Sequence, residues 1–218
     1  MHIFQLYQQF GPSITIAFLV AIVAAISVHE WAHAFTATRL GDDTPRLYGR
    51  VTLDPRAHID PIGALMFVLV GFGWGKPVLY NPMRLKGRFD ELWIALSGPA
   101  VNLLFALLCN GVALGLIAFA NQVGSAPVAV GNFVAIIRLV ADINVVLAAF
   151  NFIPIPPLDG SSIVAVFWPQ YRSLFAGQFG LIVLLLLLFF PTASGTNLLG
   201  SLLNPILHAF TVITLGGV

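Results

Sequence analysis

The chain has 218 residues, of which 58% are hydrophobic and 9% are charged, and its formal net charge is +1. Soluble globular domains carry about 25% charged residues. The composition therefore excludes an ordinary soluble domain, and the net charge gives no sign of a nucleic-acid partner. With a mean hydropathy of +0.93, most of the surface is expected to face lipid. The chain is best divided into segments of about 20 residues, the length of a membrane-spanning helix.

The first predicted span, Ser13–Leu40, is an apolar run that continues through a cluster of histidine and glutamate residues near its end. The polar connector Asp42–Asp60 follows this span. Within the connector, Leu47, Val51 and Leu53 are separated by polar and turn-forming residues, which predicts a short extended ribbon.

Five further apolar segments follow the connector, and the first of them is short for a span: Pro61–Gly75, Leu92–Ala120, Phe133–Phe152, Phe175–Phe190 and Leu198–Leu215. The prolines of the Pro154–Pro157 segment break the chain after the fourth span, and a short helix is predicted after Asp159. We therefore predict an all-α polytopic membrane protein, a bundle of about six transmembrane helices with a short extended ribbon after the first helix. Residues 1–218 are assigned to a single integral-membrane domain.

Lysine and arginine residues cluster in one of the predicted loops. The Lys76–Asp90 loop is rich in them, whereas the Asn121–Asn132 loop carries none. Because basic loops stay on the cytoplasmic side, we predict that the Lys76–Asp90 loop lies in the cytoplasm. The connector after the first span also carries arginines, which the same rule would keep in the cytoplasm. The rule therefore does not decide whether successive loops alternate between the two sides of the membrane.

The strongest chemical signal is the segment His29–His33, which has the pattern H-E-x-x-H. Residues four apart on a helix lie on one face, one turn apart, so the imidazoles of His29 and His33 can bind one Zn²⁺. Glu30 projects beside the metal, where it can take a proton from a bound water. The alternative is a buried pair of histidines with a hydrogen-bonded glutamate. At membrane depth such a cluster of costly ionisable groups is better explained by a bound cation.

Two aspartates at membrane depth are candidates for a third zinc ligand, since a catalytic zinc usually has three protein ligands and a water. Asp142 follows Arg138 by four residues, which predicts an intrahelical ion pair instead. Asp159 follows the proline-broken turn, and irregular backbone at this depth has to be surrounded by protein or line a water-filled cavity. A helix N-cap is the alternative role for Asp159. One carboxylate also reduces the charge of a buried dication, which lowers the cost of burying it.

Five segments together resemble the site-2 protease family of intramembrane metalloproteases: His29–His33, Gly49–Pro55 with His58, Trp74–Val78, Leu96–Asn102 and Asn151–Gly160. The first and the last segments are the most specific. The resemblance extends from about Val28 to Phe167, which is most of the chain. The chain resembles the compact branch of the family, which has no inserted PDZ domain and no appended CBS domain.

The resemblance implies a bundle of about six helices in the cell membrane, with the active site toward the cytoplasmic side. It implies His29, His33 and Asp159 as zinc ligands and Glu30 as the catalytic acid–base. It also implies a role near the site for Asn151, whose amide is a candidate donor to the developing oxyanion.

Two further polar residues have open roles. Asn102 is interpreted chiefly as an interhelical hydrogen-bonding residue beside Gly98 and Pro99, with an oxyanion role as the alternative. His58 is interpreted as a residue at the membrane interface, with an approach to the active site as the alternative.

These features predict an intramembrane zinc metalloendopeptidase that cleaves single-pass membrane proteins within the bilayer, in regulated intramembrane proteolysis. A second copy of the chain or a regulatory membrane protein is a further candidate partner. The alternatives are a membrane metal-ion transporter and a metal-binding, non-catalytic relative. A transporter does not need Glu30 beside the first histidine and normally has its ligands spread along a path. A non-catalytic relative is expected to lose Glu30 or a ligand.

Overall fold

The computed structural model describes residues 3–124, 128–174, 179–191 and 197–215, and the structural statements below refer to these residues. They form helices joined by turns, with no strand among them. The helices are α1 (Ile3–Arg39), α2 (Thr44–Leu47), α3 (Pro55–His58), α4 (Pro61–Val70), α5 (Asp90–Val123), α6 (Val128–Asn151), α7 (Asp159–Phe167), α8 (Tyr171–Leu174), α9 (Phe179–Phe189) and α10 (Leu198–Leu215). A 3-10 turn occurs at Pro82–Arg84.

Three helices are long and apolar enough to cross a membrane. They are α1 with 37 residues, α5 with 34 and α6 with 24. The helices α4, α9 and α10 are apolar but shorter. With 10 residues, α4 is about 15 Å long, half of the roughly 30 Å hydrocarbon core of a bilayer. The prediction of an all-α protein with helices long enough to span a membrane is confirmed for the described residues, and the bundle of about six spans stays a prediction.

The long helices extend beyond their predicted bounds. α1 begins at Ile3, before the predicted Ser13, and continues past a kink at Gly11, where φ is 77° and Pro12 follows. α6 begins at Val128 rather than at Phe133. α10 has the predicted bounds. α9 begins at Phe179, and residues 175–178 of the predicted fifth span lie outside the described residues.

The connector after α1 does not form the predicted extended ribbon. Its two ends are instead the short helices α2 and α3, each with a proline at its first positions, where the fixed φ of proline favours a helical turn. Asp54 caps α3 by accepting a hydrogen bond from the backbone N–H of Arg56. Extended pairing is limited here to an isolated antiparallel bridge between Ile59 and Gly75.

The helices that carry the candidate site are held close together by small residues. α5 packs against α1, α6 and α7. Ala25 on α1, Ala106 on α5 and Ala141 on α6 are each 0% exposed, and small residues allow helix backbones to approach closely without a hydrophobic driving force. This packing places the end of α1 beside the start of α7.

Candidate metal centre

Three side-chain atoms meet where α1 packs beside α7. Two belong to histidines one turn apart on α1, and the third belongs to Asp159 on α7. Nε2 of His29 lies 3.1 Å from Oδ2 of Asp159, and Nε2 of His33 lies 3.2 Å from the same oxygen. The two Nε2 atoms are 3.0 Å apart. Both histidines are buried and Asp159 is partly buried. The structure thus brings the three predicted ligands into one cluster.

A chain of amides determines which nitrogen of His29 carries the proton. Asn144 donates through Nδ2 to the carbonyl of Val140 at 2.8 Å, so its Oδ1 accepts from Nδ2 of Asn102 at 2.7 Å. Nδ2 of Asn102 also donates to the carbonyl of Ala25 at 3.1 Å. Oδ1 of Asn102 therefore faces Nδ1 of His29, at 2.6 Å. Because this oxygen only accepts, Nδ1 carries the proton and Nε2 presents a lone pair to the cluster.

A backbone carbonyl determines the proton position of His33 in the same way. Nδ1 of His33 lies 2.7 Å from the carbonyl oxygen of Ile94 on α5. The hydroxyl of Ser97 donates to this carbonyl, also at 2.7 Å. A carbonyl oxygen only accepts, so Nδ1 of His33 carries the proton and Nε2 is an acceptor. Both imidazoles thus have the hydrogen-bonded outer nitrogen that is usual for metal-ligating histidines.

The cluster consists of three acceptors without a donor among them. Oδ2 of Asp159 is buried and has no hydrogen-bond partner in the described structure. A single proton can satisfy one of the three contacts, whereas a cation satisfies all three. Two imidazole nitrogens and one carboxylate oxygen are a donor set of catalytic zinc sites. The residues present therefore fit Zn²⁺.

Asp159 reaches the histidines from the first position of α7. The N-cap of this helix is Leu158, not Asp159, so the alternative role of Asp159 as an N-cap is wrong. Gly160 explains how α7 can start so close to the preceding proline turn. A Cβ at Gly160 would lie 2.6 Å from the carbonyl oxygen of Ile153, which is closer than real Cβ contacts allow.

Gly98 on α5 forms one side of the cluster. A Cβ at this position would lie 2.6 Å from Cε1 of His29 and 2.6 Å from Cε1 of His33. The sequence predicted an interhelical contact of Asn102 beside Gly98 and Pro99, but not that the pair of histidine rings packs against Gly98. The absence of a side chain at Gly98 is therefore what leaves room for the two rings.

Glu30 follows His29 on α1 and faces the segment between α4 and α5. A Cβ at Gly75 would lie 3.8 Å from Oε1 of Glu30 and 3.0 Å from the carbonyl oxygen of His58. The backbone N–H of Lys76 donates to that carbonyl at 2.7 Å. A narrow strip of backbone at Gly75 and Lys76 thus lies between the Glu30 carboxylate and α3.

Arg50 holds this strip in place. Its guanidinium donates to the carbonyls of Lys76 at 3.0 Å and Pro77 at 2.7 Å, and also to the carbonyl of Ala57. The planar fork of arginine can bind several acceptors at once. The Gly49–Pro55 segment therefore contributes to the site through Arg50, which fixes the backbone opposite Glu30.

The remaining predicted polar residues form their described hydrogen bonds with backbone carbonyls outside the cluster. Asn151 donates through Nδ2 to the carbonyl of Leu147 in its own helix, at 2.9 Å, and no described hydrogen bond joins it to the cluster. Its oxyanion role stays a prediction. His58 is 0% exposed and its Nε2 donates to the carbonyl of Thr52 at 2.7 Å. Protein thus encloses the His58 ring, and its position at the membrane interface stays a prediction.

Asp142 lines a cavity between α1, α4 and α6. Arg138, four residues earlier on the same helix, acts on this carboxylate electrostatically. The predicted ion pair between these two residues stays a prediction.

Asn102 has a more specific role than helix packing, and Asn144 was missed. Both are 0% exposed, and together they support His29. A signal was available in the sequence, since a buried polar residue within an apolar span needs a partner. The identity of that partner depends on contacts between α5, α6 and α1, which no local pattern contains.

Comparisons with known proteins agree with the chemistry of this cluster. The sequence model of peptidase family M50 matches residues 112–191, a segment that includes Asn151 and Asp159 but not the His29–His33 motif. The chain is 33% identical to "Putative zinc metalloprotease YwhC" of Bacillus subtilis (strain 168) over 192 residues, or 85% of each protein. No solved structure gives a significant match.

A second group of relatives is also named for zinc metalloprotease activity. The chain is 32% identical to "Putative zinc metalloprotease Rip2" of Mycobacterium tuberculosis (strain ATCC 25618 / H37Rv) over 182 residues, which cover 79% of this chain and 66% of that protein. It is 28% identical to the protein of the same name in Mycolicibacterium smegmatis over 175 residues. These likenesses and the zinc-type donor set lead to one conclusion: the chain belongs to peptidase family M50, the site-2 protease family of zinc metalloproteases.

Proposed function

We propose that this chain is an intramembrane zinc metalloendopeptidase that hydrolyses peptide bonds within or near transmembrane segments of other membrane proteins. The observation that carries the proposal is the convergence of three lone pairs without a donor, with Glu30 next to the first histidine. This convergence occurs on α1, a helix long enough to cross a membrane. In such a location a peptidase encounters segments of protein embedded in the bilayer.

His29, His33 and Asp159 are the residues that would hold the zinc ion. Bound there, zinc supplies Lewis acidity toward a water molecule and toward the scissile carbonyl. Asn102 and the Ile94 carbonyl keep the two imidazoles in the tautomer that offers Nε2, so the ligands need no rearrangement of protons. Gly98 leaves the space that the two rings occupy.

Glu30 is the residue that moves protons. Its carboxylate takes the proton of the attacking water and then delivers it to the nitrogen of the leaving amine, which is general base and general acid catalysis by one group. The strip at Gly75, fixed by Arg50, lies opposite this carboxylate and limits where the substrate backbone can enter. Asn151 stays a predicted donor to the oxyanion. One of its two N–H groups binds Leu147, so the second would make that contact.

The placement in the membrane is part of the proposal. We propose a multi-pass protein of the cell membrane, in which α4, α9 and α10 add to the three long helices to give about six membrane segments in one domain, residues 1–218. The basic Lys76–Asp90 loop follows the strip that faces Glu30 along the chain. The positive-inside rule therefore puts the active site toward the cytoplasm. The partners are a single-pass substrate, the bilayer, and a second copy or a regulatory membrane protein.

Transport of a metal ion explains the site less well. A transport path requires ligands at successive depths, and the described structure gathers His29, His33 and Asp159 at one point. A metal-ion transporter also does not need Glu30 beside the cluster. The peptidase interpretation accounts for both features and agrees with the names of the relatives.

A cleavage assay with a single-pass membrane protein in liposomes tests the proposal. Glu30→Gln keeps the shape of the side chain and removes its basicity. We expect the variant to retain zinc, measured by elemental analysis, and to lose cleavage by at least about 100-fold, the usual contribution of a general acid–base. Equal cleavage by wild type and variant would remove Glu30 from the mechanism. Zinc transport without cleavage by the wild type would favour the transporter.

A further inference from the structure

A cavity leads along α1 toward the proposed active site. It has a volume of about 520 Å³ and lies between α1, α4, α6 and the last two helices, α9 and α10. Its wall on α1 extends from Phe18 to Ile26, which is about 12 Å of helix. Ile26 lies one turn before Glu30, and its Cγ2 is 3.1 Å from where a Cβ of Gly75 would be. The cavity thus ends beside the residue that faces the Glu30 carboxylate.

One carboxylate interrupts an otherwise apolar wall. Asp142 on α6 lines the cavity, and the other described lining residues are aliphatic, aromatic or glycine. Arg138 acts on this carboxylate electrostatically but is not part of the wall. Ionisable residues at membrane depth are costly, and they mark substrate pathways and functional sites. Asp142 therefore needs an explanation that the zinc cluster does not provide.

The hydrogen bonds of the site give the depth of Asp142 relative to the zinc ligands. Asn144 binds Asn102, which also binds the carbonyl of Ala25, so Asn144 and Ala25 lie at similar depth. α1 and α6 run in the same direction, because α5 returns between them. Asp142 precedes Asn144 by two residues, and Ala25 precedes His29 by four. Asp142 therefore lies six residues, or about 9 Å, from the level of His29 along the helix axes.

We propose that this cavity binds the transmembrane segment of the substrate and that Asp142 selects segments with a lysine or arginine about 9 Å from the scissile bond. The inference rests on the proposed function and names the substrate class of that same site. A lipid acyl chain fits the apolar wall but offers the carboxylate no partner, whereas a basic side chain does. The spacing corresponds to about three residues in an extended segment or six in a helical one.

A panel of single-pass substrates tests this selectivity. Each substrate carries either leucine or lysine at one position, scanned from two to seven residues on both sides of the cleaved bond. We expect wild-type kcat/KM to be about 3- to 20-fold higher for lysine at the matching position, the size of one buried interhelical polar contact. With Asp142→Asn the preference is expected to fall to about one. With Asp142→Lys we expect a glutamate substrate to be preferred instead.

Asp43→Asn is the matched control, since it removes an exposed carboxylate outside the cavity. This variant is expected to keep the wild-type preference. Equal preference for lysine in wild type and Asp142→Asn would overturn the inference while leaving the peptidase function intact. If wild type cleaves no substrate at all, the proposed function fails instead.

Cross-linking tests occupancy independently of turnover. A cysteine placed at Val146, which lines the cavity beside Asp142, is combined with Cys109→Ala and Glu30→Gln, and the substrate carries one cysteine in its transmembrane segment. We expect a disulfide to form between the two proteins, with a higher yield when the substrate carries a lysine at the matching position. If a photoactivatable phospholipid labels this position and no substrate cysteine does, the occupant is lipid and the inference is wrong.

Discussion

Gly98 is the residue on which the geometry of the two histidines depends most directly. An alanine there would place its Cβ 2.6 Å from Cε1 of both rings, so α5 or the rings have to move. A shift of about 1 Å in a catalytic group can cost about 100-fold in rate. We expect Gly98→Ala to lose most of its zinc and at least about 100-fold in substrate cleavage.

Gly111 on the same helix gives the matched control. A Cβ at Gly111 meets nothing within 4 Å, and alanine is favoured over glycine in a helix by about 1 kcal/mol. Gly111→Ala is therefore expected to keep full zinc content and to unfold at an equal or higher temperature. Equal zinc content in Gly98→Ala and Gly111→Ala would contradict the packing of Gly98 against the rings.

Asn102 acts on the metal through His29. Asn102→Ala removes the acceptor that fixes Nδ1 of His29, and loss of such an outer contact typically weakens metal binding 10- to 100-fold. Asn110→Ala is the control, because it also removes a buried asparagine of α5 but breaks only a 2.7 Å hydrogen bond to Thr214. Zinc affinity measured by competition with a chelator should fall for Asn102→Ala alone. A similar fall for both variants would point to a general loss of packing.

The metal cluster shows which residue roles can be predicted from sequence. His29, Glu30 and His33 are recognisable because four-residue spacing on a helix is a local property. Asp159 is recognisable because prolines break the chain before it. The support of His29 by Asn102 joins residues 73 positions apart, and the chain through Asn144 adds a third helix. Such contacts depend on how the helices pack, so the sequence indicates buried amides but not their partners.

At the scale of elements, Asp42 joins the end of α1 to the segment before α5. Its side chain is 0% exposed, and it accepts from the backbone N–H and hydroxyl of Thr44 and from the N–H of Asn81, at 2.5–3.0 Å. Burial raises the pKa of this carboxyl. The hydrogen bonds from Thr44 and Asn81 outweigh burial and lower the pKa below its usual 3.8. The ionised carboxylate is thus the form that stabilises the fold.

This shift gives a pH dependence with a definite sign. Because the pKa is lower in the folded protein, the stabilisation is complete above the unfolded pKa of about 3.9 and is lost as the pH falls through the folded value. Asp42→Asn should therefore lower the free energy of unfolding by about 1–3 kcal/mol at neutral pH. The difference from wild type should shrink below pH 4.

Thermal unfolding in detergent between pH 2.5 and 7 measures this difference. Asp43→Asn serves as the comparison, since Asp43 is exposed and forms only a 3.5 Å ion pair with Arg46, a kind of contact that contributes little. A deficit of Asp42→Asn that stays constant with pH would show that the charge of Asp42 is not what stabilises the connector.

The connector also shows where prediction of elements failed. Leu47, Val51 and Leu53 have the spacing of a strand, but Pro45 and Pro55 stand at the first positions of α2 and α3. Proline and its capping residue are local signals of equal strength, and here they determine the backbone. The long helices were predicted more reliably, because an apolar run of this length has few alternatives in a membrane.

At the scale of the whole molecule, the metal cluster joins two helices that are far apart in sequence, α1 and α7. α1 supplies two ligands from its last turns, and α7 supplies the third. The helices α5 and α6 lie between α1 and α7 in the sequence. α5 touches all of these helices and also holds both histidine rings. Binding of an ion at this point therefore acts on the packing of the whole helix bundle.

Removal of the metal should consequently lower the stability of the entire protein. Without an ion, the Asp159 carboxylate faces two imidazole lone pairs at 3.1 and 3.2 Å, an arrangement of acceptors that repel one another. An ion that binds only the folded state adds about 2.7 kcal/mol of stability at a concentration 100 times its Kd. Treatment with a chelator should lower Tm in detergent. Zn²⁺ should restore it, whereas Mg²⁺, which prefers oxygen ligands, should not. Asp159→Asn lacks the anionic ligand, so its Tm should respond little to zinc. Equal zinc-dependent shifts in Tm for wild type and Asp159→Asn would place the ion elsewhere in the protein.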